Sequence, residues 1–251
     1  MCLEIFCYHL GITLLHAVEN ILWVEEDNTD LTYMYISFRI VMYLQFFDLL
    51  SICCIARIMK RRYQFLNKRL IEVFKYVHNE DDILREIREL YSVHRKLYYL
   101  SETFNDVYGW QIFFILISTV LSLLNSANFA FLTENNAEKA EFNLGPYVIY
   151  ITAYPVFYAC STTALTLACE AAKKNAITTS TLLFRKLPWL PYIIGCCSTR
   201  KELMDIARSA KELIPTFSAG GFYQVNQHLL SSLFSTVTTY LIVIIQLSLS
   251  T

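Results

Sequence analysis

Gln246 stands alone as an amide near the end of a charge-free run, LLSSLFSTVTTYLIVIIQLSLST, that begins at Leu229. An amide in hydrocarbon is costly unless a partner or water meets it. Five aliphatic residues, Leu241–Ile245, separate it from Thr239 and Tyr240. A dry run beside one amide is how a wall would be built that stays closed until something opens it. On a helix Val243 and Leu247 share a face, being four apart, and Gln246 flanks that face. A ring of identical helices would make Val243 and Leu247 into constrictions that gate by dewetting. Gln246 would add a ring of neutral amides, able to hydrate cations without strong discrimination. The spacing alone also fits an interior helix with a satisfied glutamine, and Thr239 and Tyr240 fit ordinary helix packing.

A second set could bind a small molecule. Tyr147, Tyr150, Tyr154 and Tyr158 recur at three, four and four, so they share one helical face. Aromatic-lined clefts with a few polar groups suit small organic ligands. Asn125 and Asn128, in the preceding apolar segment, would supply polar contacts. Tyrosines at a membrane surface are also routine, which fits Tyr147, and core packing fits any single one of the others. Arg39 and Asp48 lie nine residues apart on one apolar segment, about 13 Å by helical rise, too far to pair with each other. Arg39 would either counter an anionic ligand group or pair with Glu19. His9 and His16 share a helical face without a carboxylate in register, a weak metal site better read as packing. No Ser-His-Asp order, glycine-rich phosphate loop or HExxH occurs, so neither enzyme chemistry nor a cofactor is expected.

These residues need helices in a membrane to position them. The chain is 55% hydrophobic with mean hydropathy +0.38, more apolar than soluble domains of 251 residues usually run. A net charge of −1 excludes nucleic-acid binding through a basic surface. The eight cysteines include adjacent pairs rather than metal spacing, and read as packing residues or thiols. Five segments are long enough to cross a bilayer: residues 3–23, 33–56, 111–132, 147–169 and 229–250. The first is the weakest, because it carries Glu4, Glu19 and two histidines.

Basic residues set the orientation. Of 21 Lys and Arg, 11 fall in Arg57–Lys96 and 8 in Lys173–Lys211, while the loops 24–32 and 133–146 are acidic. The positive-inside rule puts residues 57–110 and 170–228 in the cytoplasm, with the N-terminus inside and the C-terminus outside. Those regions read as helices. Ile83, Leu84, Ile87, Leu90, Tyr91, His94 and Leu97 recur at helical spacing, with Asp81–Arg85 and Arg85–Glu89 as surface pairs. Arg57–Val77 likewise reads as a cytoplasmic extension of the second span, and Arg200–Gln227 is a third amphipathic stretch, punctuated by Pro215, Gly220 and Gly221. Such helices would lie on lipid or pack into an intracellular bundle. Three apolar faces of similar length favour the bundle.

The stretch TYLIVIIQL resembles the terminal signature of insect gustatory receptors, Thr-Tyr, five hydrophobic residues and Gln-Phe. Leu247 replaces the Phe, as in the related odorant co-receptor. The resemblance implies an all-α polytopic membrane bundle with one chemoreceptor channel domain over residues 1–251. It implies a pore gated at Val243, Gln246 and Leu247, with Thr239 and Tyr240 seating the pore helix. It places a ligand pocket among the outer residues Tyr150, Tyr154, Tyr158, Asn125, Asn128 and Arg39. The implied function is a ligand-gated, poorly selective cation channel in the plasma membrane, a homo- or hetero-tetramer with other gustatory receptor subunits, detecting a small-molecule tastant. Sugar-sensing members carry Glu where this chain has Leu241, which points away from sugars, toward bitter compounds or an orphan ligand. The five spans resemble the third to seventh helices of the family, which would make the chain a fragment or truncated form. Two other readings stand beside it: a non-conducting or modulatory receptor remnant, and an unrelated transporter or scaffold.

Overall fold

Six glycines and five prolines in 251 residues leave few places where a helix must stop, and the helices run long. In the computed structural model, α1 spans Thr29–Tyr76, α2 Glu80–Asn136, α3 Leu144–Lys186, α4 Cys197–Glu212 and α5 Gln227–Ser250. A two-stranded antiparallel ribbon, β1 (Ser218–Ala219) with β2 (Tyr223–Gln224), joins α4 to α5. The structure describes residues 29–76, 79–136, 144–186 and 197–250, with Leu10, Gly11 and Thr13, and side chains over a narrower set. The expected span 3–23 lies almost wholly outside them. The other four expected spans fall inside α1, α2, α3 and α5. Among the described residues, α2 within Asp81–Asn128 and α5 within Gln227–Gln246 carry stretches long and apolar enough to cross a membrane. With 48, 57 and 43 residues, α1, α2 and α3 each hold about twice or more the residues a crossing needs.

The chain divides into two compact units. The first takes residues 1–54, 114–165 and 230–251, and the second takes 55–113 and 166–229. In the first, α1 buries Phe46, Leu49 and Ile52, α2 buries Ile115 and Leu116, and α3 buries Tyr158 and Leu165. Small polar groups bind these helices. The Thr119 and Thr162 hydroxyls meet at 3.0 Å, joining α2 to α3, and Thr119 Oγ1 also bonds the Ile115 carbonyl at 2.8 Å. Hydroxyl contacts between apolar helices satisfy themselves without long side chains and let backbones approach.

The second unit is the bundle that the amphipathic faces predict, with the tail of α3 as a further member. Its core joins Leu70 and Val73 of α1, Ile83, Leu84 and Ile87 of α2, Leu183 of α3, and Leu203, Ile206, Ala207 and Ala210 of α4. A second cluster packs Tyr63, Leu66, Leu97 and Ala176. Asn67 ties α1 to α3: its amide donates to the Asn175 carbonyl at 2.8 Å and accepts the Thr179 hydroxyl at 2.7 Å. Arg88 of α2 grips both carboxylate oxygens of Glu202 of α4, at 2.6 and 2.8 Å. Arg85 pairs with Asp82 at 2.9 Å rather than with the expected Asp81 or Glu89. Both spacings lie on one helical face, and the three-residue step wins here.

Candidate pore helix, ligand-side residues and linking hairpin

Asn226 caps α5, its Oδ1 accepting the Leu229 N–H at 3.0 Å. The helix then hides its own polarity. Thr236, Thr238 and Thr239 each donate a hydroxyl to the carbonyl four residues back, at 2.8 to 2.9 Å. Much of what remains outward is apolar. Among the described side chains of α5, Val237 alone is buried, while Phe234, Tyr240, Ile242, Val243 and Ile245 are exposed. Gln246 is exposed too, and the side chain of Leu247 lies outside the described residues. Val243 and Gln246, the two described residues of the expected gate, are therefore uncovered within one chain. An apolar helix this bare is not at rest in water; lipid or other copies must cover it.

Among the residues expected at a ligand pocket, Tyr158 is 3% exposed. Its hydroxyl donates to Gln45 Oε1 at 3.0 Å, and its ring lies 4.9 Å from Phe46, which meets Phe157 edge-on at 4.6 Å. Asn125 and Asn128 are exposed on α2. Arg39, Tyr150 and Tyr154 sit in helices, with side chains outside the described residues, and Asp48 is exposed. The structure thus brings Tyr158 together with Gln45 and Phe46, neither of which the sequence singled out. Gln45 carried a usable signal, a neutral amide in an apolar run, overshadowed by the charges at Arg39 and Asp48.

In the second unit, the segment that leads into α5 is pinned at two points. His94 Nε2–H donates to the carbonyls of Ala210 and Leu213, at 3.2 and 3.0 Å, and so closes the C-terminal end of α4. His94 is 1% exposed, and its Nδ1 has no partner among the described residues. Burial pushes its pKa down, against the two carbonyls that favour the charged ring. Tyr63 of α1 faces it edge-on at 5.7 Å, its buried phenol pushed up by desolvation. A cavity of about 10 Å³, lined by His94 with Tyr91, Thr179, Leu183 and other apolar side chains, has no charged group in its wall.

The second pin is the ribbon. Asn105 of α2 donates to the Thr216 carbonyl at 2.7 Å and accepts the Ser218 N–H at 3.0 Å. Gly109, one turn on, lets the ribbon backbone lie against α2, where a Cβ would stand 3.2 Å from Gly220 N. Gly220 and Gly221 turn the chain with φ of 59° and 79°, a conformation that glycine adopts freely. The sequence marked the two glycines as punctuation, but not Asn105 or Gly109, whose partners lie more than a hundred residues away.

The sequence profile of the 7tm chemosensory receptors matches residues 1–251. The chain belongs to that family. As a chemosensory receptor it is an all-α, multi-pass membrane protein, which overturns the unrelated transporter or scaffold. It is similar to Gustatory receptor 68a of Drosophila melanogaster, with 26% identity over 196 residues that cover 74% of this chain and 46% of that one. The chain thus spans a little under half the length of this curated relative. Its fold is similar to that of the insect olfactory receptor OR5 from Machilis hrabei, solved in complex with eugenol. The TM-score is 0.66 at 14% identity, over 97% of this chain and 67% of that one.

Proposed function

We propose that this chemosensory receptor is a subunit of a ligand-gated, poorly selective cation channel whose pore is lined by α5 in a tetramer. The observation that carries the reading is the bareness of α5, an apolar helix covered by its own chain at Val237 and exposing Val243 and Gln246. Copies of α5 around an axis would cover one another, with Val243 and Leu247 as dewetting constrictions and Gln246 as an amide ring. The membrane topology that goes with it has the N-terminus in the cytoplasm and the C-terminus outside. Residues 57–110 and 170–228 form cytoplasmic helical regions in a single channel domain.

The ligand is a small organic tastant bound in the outer part of the helices, near Tyr150, Tyr154, Tyr158, Asn125, Asn128 and Arg39. Leu241 in place of an acidic residue favours non-sugar, bitter-class compounds. Binding shifts α5 from a closed to an open packing, which requires the ligand to bind the open state better. His94 and the ribbon hold the chain leading into α5, so they would relay rearrangements of the cytoplasmic bundle to it. The test is current evoked by a panel of bitter compounds in cells expressing the chain, alone and with a full-length gustatory receptor. Evoked cation current whose ion selectivity changes in Gln246→Ala supports the reading. Unaltered selectivity and conductance in that variant, at native surface level, counts against it.

A further inference from the structure

The ribbon presents its largest rings outward. Phe222 is 64% exposed and Tyr223 57%, and Trp110 beside them on α2 is 55% exposed. Phe222 packs against Trp110 and Phe113, with ring centres at 5.8 and 5.4 Å, so these three rings form one patch, and Tyr223 follows Phe222 in the chain. Their position is fixed from beneath by the Asn105 bonds and by Gly109.

The sequence around the patch says what covers it. On α2 the last charged residue before it is Asp106, and none follows until Glu134. On the other strand of the chain no Asp, Glu, Lys or Arg occurs from Leu213 to Thr251. The patch therefore stands just beyond Asp106, where both segments are charge-free. We propose that the Trp110–Phe222 face, with the exposed Tyr223 next to it in the chain, is seated in a lipid surface, at the boundary between headgroups and acyl chains, and sets the depth at which α2 and α5 enter the bilayer. Tryptophan and tyrosine suit that boundary, because each buries a ring and keeps one N–H or O–H at its edge for headgroups and water. The side chains that would be driven into lipid are the ones the bundle leaves bare. The inference rests on membership of a membrane family, not on the pore reading.

The full chain reconstituted in nanodiscs tests it. Subtracting the emission of Trp110→Phe from that of the native chain isolates Trp110; the substitution is at an exposed ring and leaves no core void. Lipids brominated close to the glycerol end should remove most of this emission, while acrylamide in the water should remove little. Strong quenching by acrylamide with little by lipid overturns the proposal, because the face is then in water. Resistance to both also overturns it, because another protein surface then covers the face. As a second variant, Phe222→Asp should lower lipid quenching of Trp110 severalfold while the chain still elutes as native. Unchanged quenching in that variant would again refute the seat.

Discussion

Replacing His94 with leucine keeps the ring's approximate volume and removes its donor. The Ala210 carbonyl then loses its 3.2 Å bond inside the bundle, in a residue with no exposed surface. An unsatisfied buried acceptor costs about 1–3 kcal/mol. Leu213 is half-buried at the helix end, where water replaces the donor more readily. Leucine also removes the unpartnered Nδ1 from an apolar cavity, returning about 1 kcal/mol. With about 0.5–1 kcal/mol added for the Leu213 bond, the net loss is about 0.5–3 kcal/mol, which for a chain this size lowers Tm by about 1–12 °C. The native chain should carry a pH signature as well. Because the folded pKa of His94 lies below its ordinary 6.5, the neutral ring's contribution is complete above that value. It is lost as pH falls from 6.5 toward and through the lowered folded value. Thermal unfolding in detergent, followed by fluorescence-detected size exclusion from about pH 7.5 to about pH 5, reads both effects. The native chain should lose stability with acid more steeply than His94→Leu. Parallel pH profiles, or a leucine variant as stable as the native chain at neutral pH, would refute the role assigned to His94.

Three further outcomes follow from the packing. Asn67→Ala breaks both bonds between α1 and α3 and leaves a void, and should cost about 2–3 kcal/mol, read by the same unfolding assay. Gly109→Val forces the ribbon off α2, since even a Cβ there meets Gly220 N at 3.2 Å and Ser218 O at 3.4 Å. It should shift the agonist concentration for half-maximal current while surface expression persists; an unmoved dose response would disconnect the ribbon from gating. Tyr158→Phe removes the bond to Gln45, and about 1 kcal/mol of stability should go with it, visible as a small fall in Tm.

Much of this fold is written locally. Scarce glycine and proline, charge-free runs and period-3.6 apolar faces give long helices and a packed helical bundle, and residues such as Ile83, Ile87, Leu203 and Ala210 sit where their spacing puts them. The tail of α3 joining that bundle is less legible, because AITTSTLLF sets four consecutive hydroxyl residues between apolar ones and shows no clean face. The Thr179 hydroxyl turns inward only because Asn67, over a hundred residues earlier, waits for it. Long-range polar pairings of this kind have no local signal, and the same holds for Gln45 with Tyr158 and Asn105 with the ribbon. At the candidate pore, the succession of Thr-Tyr, aliphatics and Gln pointed to α5, whose Val243 and Gln246 are exposed within one chain. On the ligand side, the tyrosine stripe marked Tyr158 but gave no indication that its hydroxyl is held by α1.

The most direct measurement compares the ion selectivity of two charge variants at one exposed, uncharged position, Gln246→Lys and Gln246→Glu, in cells where both reach the surface. A ring of α5 helices around a pore predicts opposite effects. The lysine ring would suppress cation current and move the reversal potential toward that of chloride, and the glutamate ring would raise cation preference, divalent cations above all. Currents with native selectivity in both variants would contradict a pore lined by Gln246.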